Sequence, residues 1–137
     1  MRAVFADASY WVAIANSRDR LHGHATAVAE QLGECRIVTS DMVLVEALNG
    51  LAGCGTYLRM KAAELAQAAF DNPSIDVVPQ IPELFRDALA LYCARLDKSW
   101  SLTDCASFLI TERQQMTEAL THDQHFEQNG FRALLRD

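Results

Sequence analysis

Ala3-Val4-Phe5-Ala6-Asp7 is an apolar run that stops at an acidic residue close to the N-terminus. An apolar run without polar alternation is typical of a strand buried on both faces, and such strands belong to parallel sheets. Comparable short runs recur at 36–39, 75–78 and 118–121. Helix-like sequence separates each run from the next. This alternation predicts an α/β fold, a three-layer sandwich with a mainly parallel central sheet.

Apolar residues at the helical interval, preceded by capping residues, predict the helices between these strands. Ser9, Ser40 and Ser101 are the predicted N-caps of three helices, and Gly33 is the predicted end of another. One predicted helix starts after Ser9, and the others cover 22–32, 41–50, 57–70, 83–97 and 101–115. Near the C-terminus we expect a turn or short helix over 124–130 and an edge strand over 131–135.

The composition fits one globular domain. The chain has 137 residues, half of them apolar, so we expect a single domain over 1–137 with a substantial core. The net charge of −6 excludes a generally basic surface that coats nucleic acid. It does not exclude a nucleic-acid enzyme, because a site that gathers carboxylates is acidic until it is loaded with a cation.

Cysteine usage and apolar segment length predict where the protein resides. The four cysteines include no C-x-x-C pair, so we expect reduced, buried thiols rather than disulfides or a zinc site. The longest apolar segments, 12–15 and 42–45, fall far below the roughly 20 residues that a membrane-spanning helix needs. Residues 1–3 lead into a strand-like run rather than a signal peptide. We therefore expect a cytoplasmic protein without a membrane partner.

Four acidic residues fall where the predicted fold brings them to one edge of the sheet: Asp7, Glu46, Asp104 and Asp123. Asp7 follows the first strand and Asp123 the fourth, and the other two lie in helices expected to start near the same edge. Ligands of open α/β sheets bind at the carboxyl ends of the strands. Asp104 taken alone also fits a helix cap, since Ser101 stands three residues before it as in a capping box. Four acids at one edge favour a site in addition to the cap.

Clustered carboxylates require neutralisation. Two unit charges about 4 Å apart repel by roughly 4 kcal/mol at an effective dielectric constant of 20. Either some of the acids stay protonated or a cation neutralises them, and oxygen ligands alone favour Mg²⁺ or Mn²⁺. Such an ion acidifies a bound water and steadies the charge that develops on a phosphate ester. The pattern therefore predicts metal-assisted hydrolysis of a phosphodiester.

The order and spacing of the four acids resemble the acidic positions of PIN-domain ribonucleases over essentially the whole chain. The stretches that carry the resemblance are Val4-Phe5-Ala6-Asp7-Ala8-Ser9, Glu46 in the helix after Thr39-Ser40, Trp100-Ser101-Leu102-Thr103-Asp104-Cys105, and Leu120-Thr121-His122-Asp123-Gln124-His125-Phe126. The tail 121–135 is similar in particular to the VapC-type toxins. The resemblance implies a PIN-like fold and a Mg²⁺- or Mn²⁺-dependent endoribonuclease. It further implies the toxin of a type II toxin–antitoxin pair, a homodimer that cleaves RNA and is inhibited by a small antitoxin protein.

Carried over residue by residue, the resemblance implies the roles of the acids. Asp7, Glu46 and Asp104 would hold the principal metal ion, and Asp123 would complete the site directly or through water. The hydroxyl residues Ser9, Thr103 and Thr121 are expected to orient these acids or the waters beside them. Ala8 departs from the commoner pattern, in which a hydroxyl residue often stands at that position.

Two other classes of α/β protein with an acidic site do not fit the sequence. A receiver-type signalling domain requires an acidic pair after an early strand and a Lys after a late one, and the chain has neither. A phosphatase with an aspartyl nucleophile requires a second Asp two residues after Asp7, where Ser9 stands. A catalytically idle PIN-like module that binds RNA or a protein remains the alternative, although such a module has no need of four repelling carboxylates.

We expect the aromatic and histidine side chains close to these motifs to have structural roles rather than roles in the site. Tyr10, Trp11 and Trp100 are assigned to the core, because aromatics at helical spacing or beside a cap usually pack inside. His122 and His125 flank Asp123, and we interpret them as exposed histidines of a turn.

Overall fold

The structure, a computed structural model, describes residues 1–137 and is built around a five-stranded sheet in which every strand pair is parallel. The strands are β1 (Ala3–Ala6), β2 (Arg36–Ser40), β3 (Ile75–Val78), β4 (Glu118–Leu120) and β5 (Arg132–Ala133). Their order is β3-β2-β1-β4-β5, so β1 is central, and Phe5 is in register with both Val38 and Ala119. Because all strands run in the same direction, their carboxyl ends meet at one edge of the sheet.

Seven α-helices and a 3-10 turn surround the sheet. They are α1 (Ala8–Ala15), α2 (His22–Leu32), α3 (Asp41–Leu51), α4 (Thr56–Asp71), α5 (Pro82–Ala94), α6 (Leu102–Arg113), α7 (Gln124–Gln128) and the 3-10 turn Leu134–Arg136. Helix α1 packs against α2, α3 and α4, whereas α5 packs against α6. The result is the predicted three-layer α/β sandwich. None of the helices has both the length and the apolar character needed to cross a bilayer.

Local capping chemistry sets where the helices that carry the acids begin. Ser40 ends β2 and caps α3, because its Oγ accepts a hydrogen bond of 3.1 Å from the Val43 N–H. Ser101 and Asp104 form a reciprocal capping box at the start of α6. Both caps agree with the sequence prediction. They place the first turns of α3 and α6 without any contribution from a ligand.

An aromatic cluster joins β1, α6 and α7 in the core. Phe5, Phe108 and Phe126 are completely buried. The Phe126 ring lies 5.0 Å from Phe108, edge to face, and 6.1 Å from Phe5, measured between ring centroids. Trp100 lies against Phe108 at 4.9 Å. Packing of this kind stabilises the helix start at 101 and the loop after β4 relative to the central strand.

The three aromatic residues assigned to the core from the sequence are buried: Tyr10, Trp11 and Trp100 are at most 6% exposed. The prediction for the cysteines is only partly correct. All four are free thiols, but Cys54 and Cys93 are exposed, since they lie in the loop after α3 and on the outer side of α5. Apolar sequence neighbours did not imply burial at either position.

Several element boundaries differ from the prediction. Helix α1 begins at Ala8 with Asp7 as its N-cap residue, so Ser9 is not the cap. Helix α5 ends at Ala94, before the predicted 97: Arg95 leaves helical geometry, and its guanidinium pairs with the Asp97 carboxylate in the turn that follows. The predicted edge strand over 131–135 is reduced to two residues, since the chain turns into the 3-10 segment at Leu134.

Candidate active site

The four predicted acids come together at the carboxyl edge of the sheet. The Asp7 N–H donates to the Leu120 carbonyl at 3.1 Å, which joins the ends of β1 and β4. Asp123 follows β4 by three residues and is the N-cap of α7, while Asp104 lies in the first turn of α6. Glu46 lies on α3 with an exposed side chain. The charges of Asp104 and Glu46 raise the pKa of Asp7, and those of Asp104 and Asp123 raise the pKa of Glu46.

Asp7 is the innermost of the four acids, with 4% of its surface exposed. Its Oδ2 accepts a hydrogen bond of 2.9 Å from the Thr121 hydroxyl, whereas Oδ1 is buried without any hydrogen-bond partner. Burial raises the pKa of Asp7 to about 7, and the nearby charges of Asp104 and Glu46 contribute in the same direction. The protein therefore disfavours a charge on Asp7 unless a cation offsets it.

Thr121 and Ser9 tie the loop after β4 to the start of α1. The Thr121 Oγ1 that donates to Asp7 also accepts a hydrogen bond of 3.0 Å from the Asp123 N–H. Ser9 Oγ lies 3.3 Å from the same oxygen and accepts from the His122 N–H at 3.1 Å. Thr121 is completely buried. One hydroxyl thus fixes the side chain of Asp7 and the backbone of Asp123 together.

Thr103 has no comparable contact. Its carbonyl accepts a hydrogen bond of 2.8 Å from the Ser107 hydroxyl within α6, and its own hydroxyl makes no hydrogen bond to an acid. Of the three hydroxyl residues selected from the sequence, Thr121 therefore contacts Asp7 and Asp123 directly, and Ser9 is connected to them through Thr121. Thr103 has neither connection.

Asp104 is 6% exposed and uses only one of its oxygens in the fold. Its Oδ2 accepts from the Ser101 N–H at 3.0 Å, which completes the capping box, and lies 3.0 Å from His125 Nδ1. Oδ1 accepts no hydrogen bond from the protein. Asp104 can therefore cap the helix through Oδ2 and still present Oδ1 to a ligand.

His125 joins Asp104 to Asp123, and the interpretation of this histidine as an exposed turn residue is wrong. Its side chain is 20% exposed, and its Nδ1 lies 3.3 Å from Asp123 Oδ1 as well as 3.0 Å from Asp104 Oδ2. Asp123 Oδ1 also accepts from the His125 N–H at 2.9 Å. One ligand-type atom from each of the three residues lies within 4.8 Å of the others.

Glu46 completes the acidic group from the solvent side. Partial loss of hydration raises its pKa, and the charges of Asp104 and Asp123 raise it further. Because its side chain is exposed, Glu46 can move toward or away from the three inner acids at little cost.

The donor set suits a hard divalent cation. Asp7, Asp104 and Asp123 each have one oxygen held by the protein and a second that accepts no hydrogen bond from it. The second oxygen of Asp7 is also buried, where a charge without a partner is costly. Mg²⁺ and Mn²⁺ take carboxylate oxygens as ligands, so the residues present fit such an ion.

Comparison with known proteins identifies the family. The family model described as PIN domain matches residues 4–132. The chain belongs to the PIN domain family. The family resemblance recognised in the four acidic stretches is thereby confirmed.

The structure of this PIN domain is similar to the crystal structure of VapC20 from Mycobacterium tuberculosis, which is described as a toxin that cleaves the sarcin–ricin loop. The similarity covers 93% of this chain and 95% of VapC20, with a TM-score of 0.83 and 24% sequence identity. At that identity the match confirms the predicted PIN-like fold. No curated protein matches the PIN domain described here.

His125 is the residue of this PIN domain that sequence reasoning missed. The signal was its position two residues after Asp123 and directly before Phe126, whose complete burial brings the first turn of α7 inward. A histidine in the first turn after an acidic N-cap lies close to that acid. Its contact with Asp104 depends on how α7 packs beside α6, which local sequence does not encode.

Proposed function

We propose that this PIN domain is a Mg²⁺- or Mn²⁺-dependent endoribonuclease, the toxin of a type II toxin–antitoxin pair. The observation that carries the proposal is Asp7 Oδ1, a buried carboxylate oxygen without a partner among three further acids. Proteins usually pair buried charges, because an uncompensated one is costly. A cation among these acids supplies the missing partner.

Asp7, Glu46 and Asp104 are the residues we assign to the principal ion, and we assign Asp123 to complete its surroundings directly or through water. A divalent cation bound there supplies Lewis acidity to a phosphodiester and lowers the pKa of water in the site. Support for the three inner acids comes from their free oxygens. Support for Glu46 is electrostatic, since its charge interacts with Asp7 as well as with Asp104 and Asp123.

The residues around the acids keep them in place before substrate arrives. The Thr121 hydroxyl holds Asp7 Oδ2, and the Ser101 N–H holds Asp104 Oδ2. Ser9 supports Thr121 from the other side. Side chains held in this way lose little further entropy on binding, which is the advantage of a preorganised site.

RNA and an antitoxin are the partners that we propose. VapC20, which shares the fold, is described as a toxin that cleaves the sarcin–ricin loop. By extension we propose a structured RNA as the substrate and a small antitoxin as the inhibitor of this chain. We also propose a homodimer, supported by the exposed apolar side chains Phe85, Leu89 and Tyr92, which recur at the helical interval on α5.

The test of the proposal is the substitution Asp104→Asn, compared with Asp71→Asn as a matched control. Asn at 104 keeps an oxygen for the Ser101 N–H, so the capping box and the fold are expected to survive. Asp71 is an exposed acid at the end of α4, so its substitution removes the same charge outside the site. All three proteins are purified in parallel and incubated with total RNA and with a sarcin–ricin loop oligonucleotide, in Mg²⁺, Mn²⁺ or EDTA.

We expect the wild type and Asp71→Asn to cleave RNA only with a divalent ion, and Asp104→Asn to lose at least the roughly 100-fold in rate that removal of one electrostatic contact typically costs. Expression of the wild type without an antitoxin should be toxic, and Asp104→Asn should relieve that toxicity. Cleavage by Asp104→Asn equal to that of the wild type would reject the nuclease assignment. Equal toxicity of both, without cleavage by either, would favour the idle binding module.

A further inference from the structure

His125 joins two of the acids through a single ring nitrogen. We propose that it is a positioning residue, whose Nδ1–H donates to Asp104 Oδ2 and lies beside Asp123 Oδ1, so that the opposite oxygens of both acids face a cation. The proposal rests on the proposed function, in which this site binds a divalent ion. It assigns His125 a role between the acids and no contact with the ion.

The donor and acceptor roles follow from the groups that surround the ring. Nδ1 faces two carboxylate oxygens, at 3.0 Å on Asp104 and 3.3 Å on Asp123. An ionised carboxylate accepts hydrogen bonds and has none to donate. The hydrogen atom between Nδ1 and an ionised Asp104 is therefore on His125 Nδ1, which makes this nitrogen a donor and not a metal ligand.

The other ring nitrogen also has a neighbour. Nε2 lies 3.4 Å from the Ser99 hydroxyl, in the loop that leads into α6. A hydroxyl can donate to Nε2 as well as accept from it, so this contact is compatible with the proton on Nδ1, the tautomer that the carboxylate contacts favour. Both nitrogens of the ring are thus directed to protein groups. The imidazole is turned toward the two acids and the loop, with no free lone pair aimed at the site.

The contacts of His125 explain which oxygens of Asp104 and Asp123 stay free. Asp104 receives the Ser101 N–H and His125 Nδ1 on the same oxygen, Oδ2. Asp123 Oδ1 accepts from the His125 backbone N–H and lies 3.3 Å from the ring nitrogen, a close polar contact and not a second hydrogen bond. Because each acid is contacted on one oxygen only, rotation of either carboxylate would break at least two contacts. His125 therefore couples the orientation of one acid to that of the other.

The position of the ring is itself fixed by the core. His125 precedes Phe126, which is completely buried and packs 5.0 Å from Phe108 of α6. The Trp100 indole N–H donates to the Gln128 side chain at 3.0 Å, a second link between α7 and the region before α6. The imidazole thus stands between two rigidly connected segments, as a group that orients ligands must.

The experiment measures Mn²⁺ affinity of the full chain, from loss of the free-ion electron paramagnetic resonance signal, for four His variants beside the wild type. His125→Ala removes the donor and should weaken binding by about 10- to 100-fold, the usual effect of losing a group that orients ligands. His125→Asn places an amide N–H close to the position of Nδ1 and should recover most of that loss. His125→Gln places its amide nearer the position of Nε2 and should not. His122→Ala, in the same loop, should bind Mn²⁺ like the wild type.

A second measurement is independent of any metal. Long-range ¹H–¹⁵N spectra of the metal-free protein, with the His125 signals assigned from their absence in His125→Ala, should show a proton on Nδ1. A ring protonated on Nε2 alone would overturn the proposal. So would equal Mn²⁺ affinity of the wild type and His125→Ala, or equal losses in the Ala and Asn variants when circular dichroism shows both to be folded.

The outcomes separate this proposal from the function on which it rests. If the wild type binds Mn²⁺ and Asp104→Asn does not, the metal site stands, and a wild-type affinity in His125→Ala rejects only the positioning role. If the wild type binds no Mn²⁺, the metal site itself is rejected, and the role of His125 with it.

Discussion

Asp7→Asn should stabilise the metal-free protein at neutral pH while it removes a proposed metal ligand. Asp7 is buried, its Oδ1 has no partner, and burial raises the pKa of Asp7 from the ordinary value of 3.8 to about 7. Between these two pH values the native state holds a proton on Asp7 that the unfolded chain has released. Raising the pH therefore favours the unfolded state, and the wild type loses stability as the pH rises through about 7.

The magnitude follows from the size of the pKa change. One pKa unit corresponds to 1.36 kcal/mol, so the ionisation of Asp7 costs the native state up to roughly 4 kcal/mol at neutral pH. Asn at position 7 cannot ionise, but it buries an amide with an unmade hydrogen bond, at a cost of about 1–3 kcal/mol. The variant should therefore be more stable than the wild type by roughly 1–3 kcal/mol at pH 7 and no more stable below pH 4.

Urea denaturation in EDTA, repeated at intervals from pH 4 to pH 8, measures this difference. Both proteins share every other titrating group, so the difference in their free energies of unfolding isolates Asp7. This difference should depend on pH: the variant should become more stable relative to the wild type as the pH rises. If the free energies of unfolding of the two proteins changed with pH in parallel, the claim that the fold disfavours the ionisation of Asp7 would be refuted.

Two further predictions test the surroundings of Asp7. Thr121→Val removes the hydroxyl that bridges Asp7 Oδ2 and the Asp123 N–H, and should destabilise the metal-free protein by about 1–3 kcal/mol in the same urea assay. Thr111→Val is its matched control, since that buried hydroxyl only donates to a carbonyl within α6, and it should cost less than Thr121→Val; equal losses would contradict a special role for the bridge. Addition of Mg²⁺ should raise the thermal midpoint of the wild type, with a gain of about 2.7 kcal/mol at a concentration 100 times the dissociation constant. No such gain is expected for Asp7→Asn, and an equal shift in both proteins would indicate binding elsewhere.

The convergence of the acids was predictable because it depends on topology more than on side-chain detail. Strand β1 is an apolar run without polar alternation, which indicates a parallel sheet, and parallel strands present their carboxyl ends at one edge. Asp7 and Asp123 follow two adjacent strands, so their proximity follows directly from that arrangement. Ser101 and Asp104 were recognisable as a capping box for a similarly local reason.

The contacts of His125 were not predictable, because they join segments that are distant in sequence. Its ring meets Asp104 only because α7 packs beside α6 through Phe126 and Phe108, and no local periodicity encodes that packing. The short length of the edge strand at Arg132–Ala133 also results from a contact between segments that are distant in sequence. The Leu135 N–H turns back to the Thr121 carbonyl at 3.1 Å, and this tertiary bond replaces continued strand pairing.

Asp104 shows how a structural role and a site role fit in one side chain. A cap alone needs one oxygen, and Oδ2 supplies it to the Ser101 N–H. A site needs an oxygen that the protein leaves free, and Oδ1 is that atom. The same division holds in Asp7, where Thr121 occupies Oδ2. Because ordinary caps and hydroxyl contacts hold one oxygen of each acid, the fold can assemble mutually repelling carboxylates before any cation arrives. The remaining cost falls on Asp7, whose pKa is raised chiefly by its burial and further by the charges of Asp104 and Glu46, and the binding of a cation would offset that cost.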